Sequence, residues 1–133
     1  MLKLEQQVCS LELAKRLKEL NVKQESFFIW KQCINKQLAC YQIPTVSTHK
    51  NVDNDDEIIA SAFTASELGE MLPDRIKIEG DSLLSWLVCE KLGDAYWVKY
   101  YRHMGDCTLR EYADTEADAR AKMLIYLLEN KLK

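Results

Sequence analysis

The chain has 133 residues, 18 basic and 21 acidic side chains and a net charge of −3, with 47% apolar types and only four glycines and two prolines. That length supports a core without disulfides or a structural metal, and the composition is that of a folded chain rather than a disordered or collagenous one. The acidic balance argues against a dedicated nucleic-acid-binding domain, which is normally strongly basic.

Residues 10–20 place Leu13, Ala14, Leu17 and Leu20 at helical spacing and leave Glu12, Lys15, Arg16, Lys18 and Glu19 for water. Ser10 is a helix-capping residue type, and Asn21 tolerates the left-handed conformation at a helix end. Residues 27–33 are aromatic and β-branched, a strand composition. Residues 35–37 are polar enough for a hairpin loop, and 38–43 read as the return strand, stopped by Pro44. The stretch from 45 to 57 lacks periodicity and carries Asp53, Asp55, Asp56 and Glu57. A mobile acidic loop at 45–60 is the expectation.

Thr64 and Glu67 form a capping box for a helix that ends near Leu72, because Pro73 disfavours helical conformation in the residue before it. Residues 75–79 read as a short strand with a turn at Gly80-Asp81. Two strands, 84–91 and 95–101, form a hairpin around Gly93-Asp94. A turn at Met104-Gly105-Asp106 leads to an edge strand at 107–112. The final helix, 114–130, begins at a second capping pair, Thr115 and Asp118, and lines up Ala117, Ala121, Leu124 and Leu128 on one face. This order predicts a single α+β domain over 1–133. It has a largely antiparallel sheet of about four to six strands, with an N-terminal helix, a short middle helix and a long C-terminal helix packed on one face.

Charge is unevenly spread: +3 over residues 1–40, −6 over 41–74 and zero from 75 onward. The longest apolar run near the C-terminus, 123–128, is far short of the ~20 residues a spanning helix needs. Lys3, Glu5, Gln6 and Gln7 interrupt any signal-peptide core, so no signal peptide is expected. Cys9, Cys33, Cys40, Cys89 and Cys107 contain no CxxC pair. The expectation is five reduced thiols in a cytoplasm.

Three segments, CSLELAKRLKELNVKQESFFIW (9–30), AFTASELGEMLP (62–73) and DTEADARAKMLIYLLEN (114–130), resemble a family of small uncharacterised proteins carried by bacteriophages, prophages and related elements of gut bacteria. The resemblance implies an accessory protein inside a bacterial host cell, and it supplies no catalytic residues.

Reactive groups are sparse. His103 and Cys107 stand four apart with only the distant His49 or another cysteine as a third ligand. Asp53 to Glu57 starts like a calcium loop, but Ile58 occupies the glycine position and no bidentate glutamate follows at the right distance. No nucleophile elbow is present, and Gly69, Gly80, Gly93 and Gly105 are too dispersed to cradle a phosphate. Turn chemistry accounts for Asp94 and Asp106. No catalytic group, cofactor or metal is expected. The expected role is non-enzymatic: a protein-binding or adaptor module with an aromatic surface of Phe28, Trp30, Trp97 and Tyr101, whose partner is another protein or a second copy of the chain. The alternative is weak nucleic-acid binding through the basic face Lys15, Arg16, Lys18 and Lys23, with Tyr96, Trp97, Tyr100, Tyr101 and Arg102 as strand-borne contacts.

Overall fold

The computed structural model describes residues 3–39, 41, 43–78, 84–102 and 107–132. The turns expected at Gly80-Asp81 and Met104-Gly105-Asp106, together with Cys40 and His103, lie outside that set. The fold is α+β. Its helices are α1 (Leu4–Gln7), α2 (Leu11–Glu19), α3 (Ala65–Met71) and α4 (Glu116–Glu129). Its strands are β1 (Phe28–Cys33), β2 (Thr45–Thr48), β3 (Asp56–Ser61), β4 (Arg75–Ile76), β5 (Ser85–Leu92), β6 (Ala95–Arg102) and β7 (Cys107–Ala113).

The helices start and stop where local chemistry dictates. The Ser10 hydroxyl accepts from the Leu13 N–H at 3.5 Å, and α2 ends on left-handed Asn21, with Val22 N–H closing back on the Leu17 carbonyl. In α3 the capping box is reciprocal: Glu67 N–H donates to Thr64 Oγ1 at 3.2 Å and Thr64 N–H to Glu67 Oε1 at 2.9 Å. Pro73 follows directly on the Leu72 cap. The Thr115 hydroxyl accepts from Asp118 N–H at 3.2 Å to open α4.

One sheet of four to six strands was the sequence expectation; among the described residues seven strands instead divide into two antiparallel sheets, ordered β2-β1-β3 and β4-β5-β6-β7. In the first sheet the return strand comes after Pro44 rather than before it. Leu38 and Ile43 are exposed, and β2 pairs Thr45 with Lys31 and Thr48 with Phe28. Proline lacks the N–H a ladder needs, so the β-branched Thr45, Val46 and Thr48 beyond it make the better strand. The stretch at 45–60, expected as an acidic loop, therefore contains β2, a 3₁₀ turn at His49–Asn51 and most of β3. Its acidic residues build a turn: Asp55 N–H donates to Asp53 Oδ1 at 2.9 Å, and Asp56 takes the Lys31 ammonium at 3.0 Å.

The second sheet is wound from the hairpin β5–β6, whose two-residue turn places Gly93 at φ 60°, as a II′ turn requires at its first position. Its inward residues Ile76, Val98, Tyr100 and Ala113 join one hydrophobic core with Phe63 and Leu68 and with Trp30 of the first sheet. Ser85, fully buried, accepts a hydrogen bond from Thr108 Oγ1 at 2.9 Å, and the Tyr100 hydroxyl donates to the Pro73 carbonyl at 2.7 Å. Helix α4 runs through the middle of this core. It buries Ala117, Ala119, Ala121, Met123, Leu124 and Leu127 and packs on α2, α3, β6 and β7. Leu128, expected on that stripe, is only half-buried, and Met123 and Leu127 take its place. Against α3 the approach is close enough that a Cβ on Gly69 would meet the Arg120 guanidinium at 2.5 Å.

Leu124 has no solvent exposure. Leu124→Ala is expected to lower unfolding stability by about 2–5 kcal/mol in denaturant titration, and a nearly neutral result contradicts the placement of α4. A pH effect follows from Asp56. Its hydrogen bond from Lys31, helped by the Asp53 backbone, holds its pKa below the ordinary 3.8. A depressed carboxylate pKa adds stability above the unfolded value that disappears as pH falls through the folded one. Asp56→Asn should therefore lower the melting temperature at neutral pH, with the gap to the wild type closing below pH 3.8; a gap that persists in acid contradicts the ion-pair account.

Candidate functional site

The two faces of the second sheet are unequal. Alternation along β5 turns Ser85 and Leu87 inward and Leu84, Trp86, Val88 and Leu92 outward, where they are 41%, 50%, 37% and 50% exposed. Cross-strand register sets Trp97, Lys99 and Tyr101 of β6 beside Glu90, Val88 and Trp86, and sets Tyr112 and Arg110 of β7 beside Trp97 and Lys99. Arg75 lies opposite Trp86 at the β4 side. The outward face is thus a continuous aromatic and aliphatic surface studded with cations. Monomeric chains rarely leave such a surface uncovered without a use for it.

Its internal chemistry is organised around rings. Trp97 stacks on Tyr112 with centroids 4.7 Å apart. The Arg75 guanidinium sits 5.2 Å from the Trp86 ring centre, and the Lys99 ammonium sits 5.1 Å and 5.8 Å from those of Trp97 and Tyr101. Lys99 is also held by Glu90 at 2.5 Å and by the Tyr101 hydroxyl at 3.3 Å. The Glu90 bond raises the Lys99 pKa, followed by that to Tyr101, so the ammonium stays charged at neutral pH. Arg75 and Arg110 have no carboxylate partner among the described residues. Both guanidiniums remain available to an acceptor on a partner.

The residues expected to form one aromatic surface are divided by the fold. Trp97 and Tyr101 share the outward face of the second sheet. Trp30 is 8% exposed in the core with its indole N–H donating to the Cys9 carbonyl at 3.0 Å, and Phe28 packs against the same core. Trp30 is buried and Phe28 half-buried because their side of β1 meets the shared core and the Cys9 backbone ahead of α2, a tertiary contact that alternation within one strand does not reveal. Trp86 and Tyr112 were absent from the expected set although they are the most exposed rings of the surface. The available signal was the parity of β5, where Leu84, Trp86 and Val88 fall on the side opposite Ser85.

The basic face of α2 is exposed but largely engaged. Arg16 pairs with Glu19 at 3.0 Å and Glu129 at 3.2 Å, Lys18 donates to the Ile59 carbonyl at 2.9 Å, and Lys23 pairs with Glu25 at 3.1 Å. Lys15 carries no ion pair among the described residues. Of the strand-borne contacts on the nucleic-acid side, Tyr100 is buried and Tyr96 and Arg102 share its side of β6, which leaves Trp97 and Tyr101.

Among the described residues, no group of three or more His, Cys, Asp or Glu is placed to hold a metal ion. Burial pushes the Cys9 thiol up to about 12, so it is protonated and shielded at neutral pH. A cleft of about 450 Å³ gathers Lys91, Asp94, Asp114 and Glu116 with the caps of α3 and α4. Of the carboxylates there, Glu116 lies in the first turn of α4, where it suits the helix dipole, and Asp94 lies in the β5–β6 turn. Among the described residues, no helix is long and apolar enough to cross a membrane. No protein-family model, curated protein or solved structure matches the chain.

Proposed function

We propose that the chain is a non-enzymatic protein-binding module whose contact surface is the outward face of the β4-β5-β6-β7 sheet. One observation carries the reading: the more apolar parity of β5 points away from the core, so Leu84, Trp86, Val88 and Leu92 meet Trp97, Tyr101 and Tyr112 on a side that the described residues leave uncovered. Trp, Tyr and Arg are the side chains that dominate binding energies at protein interfaces. Arg75 and Arg110 add unneutralised charge, which selects a partner with an acidic rim and disfavours face-to-face pairing of two identical copies. Cytoplasmic action inside a bacterial host, as an accessory protein of a bacteriophage or prophage, belongs to the same proposal and rests on the sequence resemblance.

Nucleic acid fits this surface less well. The protein's own cations sit over the Trp86, Trp97 and Tyr101 rings, and Trp97 already stacks on Tyr112, so ring faces are occupied where bases would stack. The test is affinity capture from host lysate with the wild type and with a Trp86→Ala/Tyr112→Ala variant. The expected result is a specific protein that the wild type retains and the variant loses, with affinity reduced at least about tenfold. Equal retention by both proteins, or a labelled single-stranded oligonucleotide bound in place of protein, contradicts the reading.

A further inference from the structure

The outward surface ends at a strand edge that no described residue pairs. Strand β4 pairs only with Ser85 and Trp86 of the eight-residue β5, and the Leu87 N–H is then taken by the Asp74 carbonyl at 2.9 Å. In an antiparallel ladder each residue's N–H and C=O point to the same side, and the side alternates along the strand. The Leu87 bond fixes the parity: Val88, Glu90 and Leu92 bond to β6, while the N–H and C=O of Cys89 and Lys91 point outward from the sheet. Among the described residues nothing accepts from or donates to those four groups.

Proteins usually blunt such an edge with a bulge, a proline or a charge. Strand β7, at the other end of the sheet, has two such devices: Lys122 Nζ donates to the Tyr112 carbonyl at 3.1 Å, and a register shift opposite Tyr100 and Tyr101 breaks the ladder. The free half of β5 has neither. Its pairing with β6 is regular from Ser85 to Leu92, and its charged side chains are engaged, Glu90 by Lys99 and Lys91 over the Tyr96 ring at 5.3 Å. Beside the edge lie the 450 Å³ cleft and a second of about 160 Å³ lined by Cys89, Lys91, Val98, Glu116 and Ala119. Burial raises the Cys89 thiol pKa, the neighbouring Arg120 guanidinium lowers it only in part, and Arg120 Nε is buried without a hydrogen-bond partner.

We propose that the free half of β5 takes an extended peptide segment of a protein partner as an added strand, with apolar side chains outward beside Val88 and Leu92 and small hydroxyl side chains inward over Cys89 and Lys91. This deepens the protein-binding reading and rests on it. The backbone chemistry selects the occupant. Donors and acceptors recurring every second residue, about 7 Å apart, are matched by another polypeptide. A nucleic-acid backbone offers phosphate acceptors and no donors for the two carbonyls. Inward hydroxyls supply an acceptor toward Arg120 without adding charge beside Glu116, Asp94 and Asp114. Those same acids favour a basic residue at the end of the segment.

The probe is a synthetic peptide of alternating valine and threonine with terminal lysines, titrated into the full-length protein and followed by amide hydrogen exchange in NMR. Saturation is expected to slow exchange at Cys89 and Lys91 at least about tenfold. Cys89→Pro and Lys91→Pro each remove an outward N–H without touching the β6 ladder, and each should weaken peptide binding at least about tenfold. Absence of binding at millimolar peptide, binding that leaves the two amides unprotected, or protection by an oligothymidylate instead overturns the proposal. The two readings fail separately. Partner capture lost in Trp86→Ala/Tyr112→Ala but retained in the proline variants sinks the edge and leaves the face. Protection of the edge amides with partner capture indifferent to Trp86 and Tyr112 sinks the face.

Discussion

The structure depends on where α4 lies. Its buried stripe of three alanines followed by Met123, Leu124 and Leu127 occupies the inner side of β6 and β7 while also meeting α2 and α3. Alanine in the first two turns keeps the backbone close to neighbouring elements, and the larger side chains in the last two fill the wider space beyond. Because one helix satisfies the inner side of the sheet and ties it to the helices beside the first sheet, no further element is needed there. The consequence is asymmetric. Nothing among the described residues covers the outer side, although that side holds the more apolar half of β5.

Burial and charge divide along the same line. Acidic residues of the 41–74 stretch gather in the turn before β3, where the Asp53 carboxylate accepts from the Asp55 N–H and Asp56 accepts from the Asp53 N–H while holding Lys31. Among the described residues, the outer side of the second sheet keeps Arg75 and Arg110 without a carboxylate, and its acid–base pair, Lys99 with Glu90, lies among the rings. A chain with a small negative net charge thus has one positive, aromatic side, built from the segment after residue 74 in which the two signs balance.

Much of the fold was legible because it rests on local signals. Caps at Ser10, Thr64 and Thr115, the Pro73 stop, the Gly93 turn and the period of α4 each specify an element with a few neighbouring residues. What escaped is non-local. The split into two sheets depends on which strands find one another across long separations, and no single-strand pattern encodes that choice. The position of the return strand was missed because Leu38 and Ile43 look like strand residues while the hydrogen bonds available only after Pro44 decide the pairing. Trp30 looked as surface-worthy as Trp97; its fate depends on the Cys9 backbone and the shared core meeting it. The unpaired edge of β5 was invisible for the opposite reason, since an absence of pairing follows from the shortness of β4 rather than from anything in β5 itself.

The central claim is that one side of the second sheet faces solvent and the other faces α4. Hydroxyl-radical footprinting of the native protein, read by mass spectrometry of its peptides, tests this directly. The account predicts strong labelling at Trp86 and Tyr112 and protection at Tyr100, Phe63 and Met123. Labelling of Tyr100 and Met123 with Trp86 and Tyr112 shielded would reverse the two sides and contradict it.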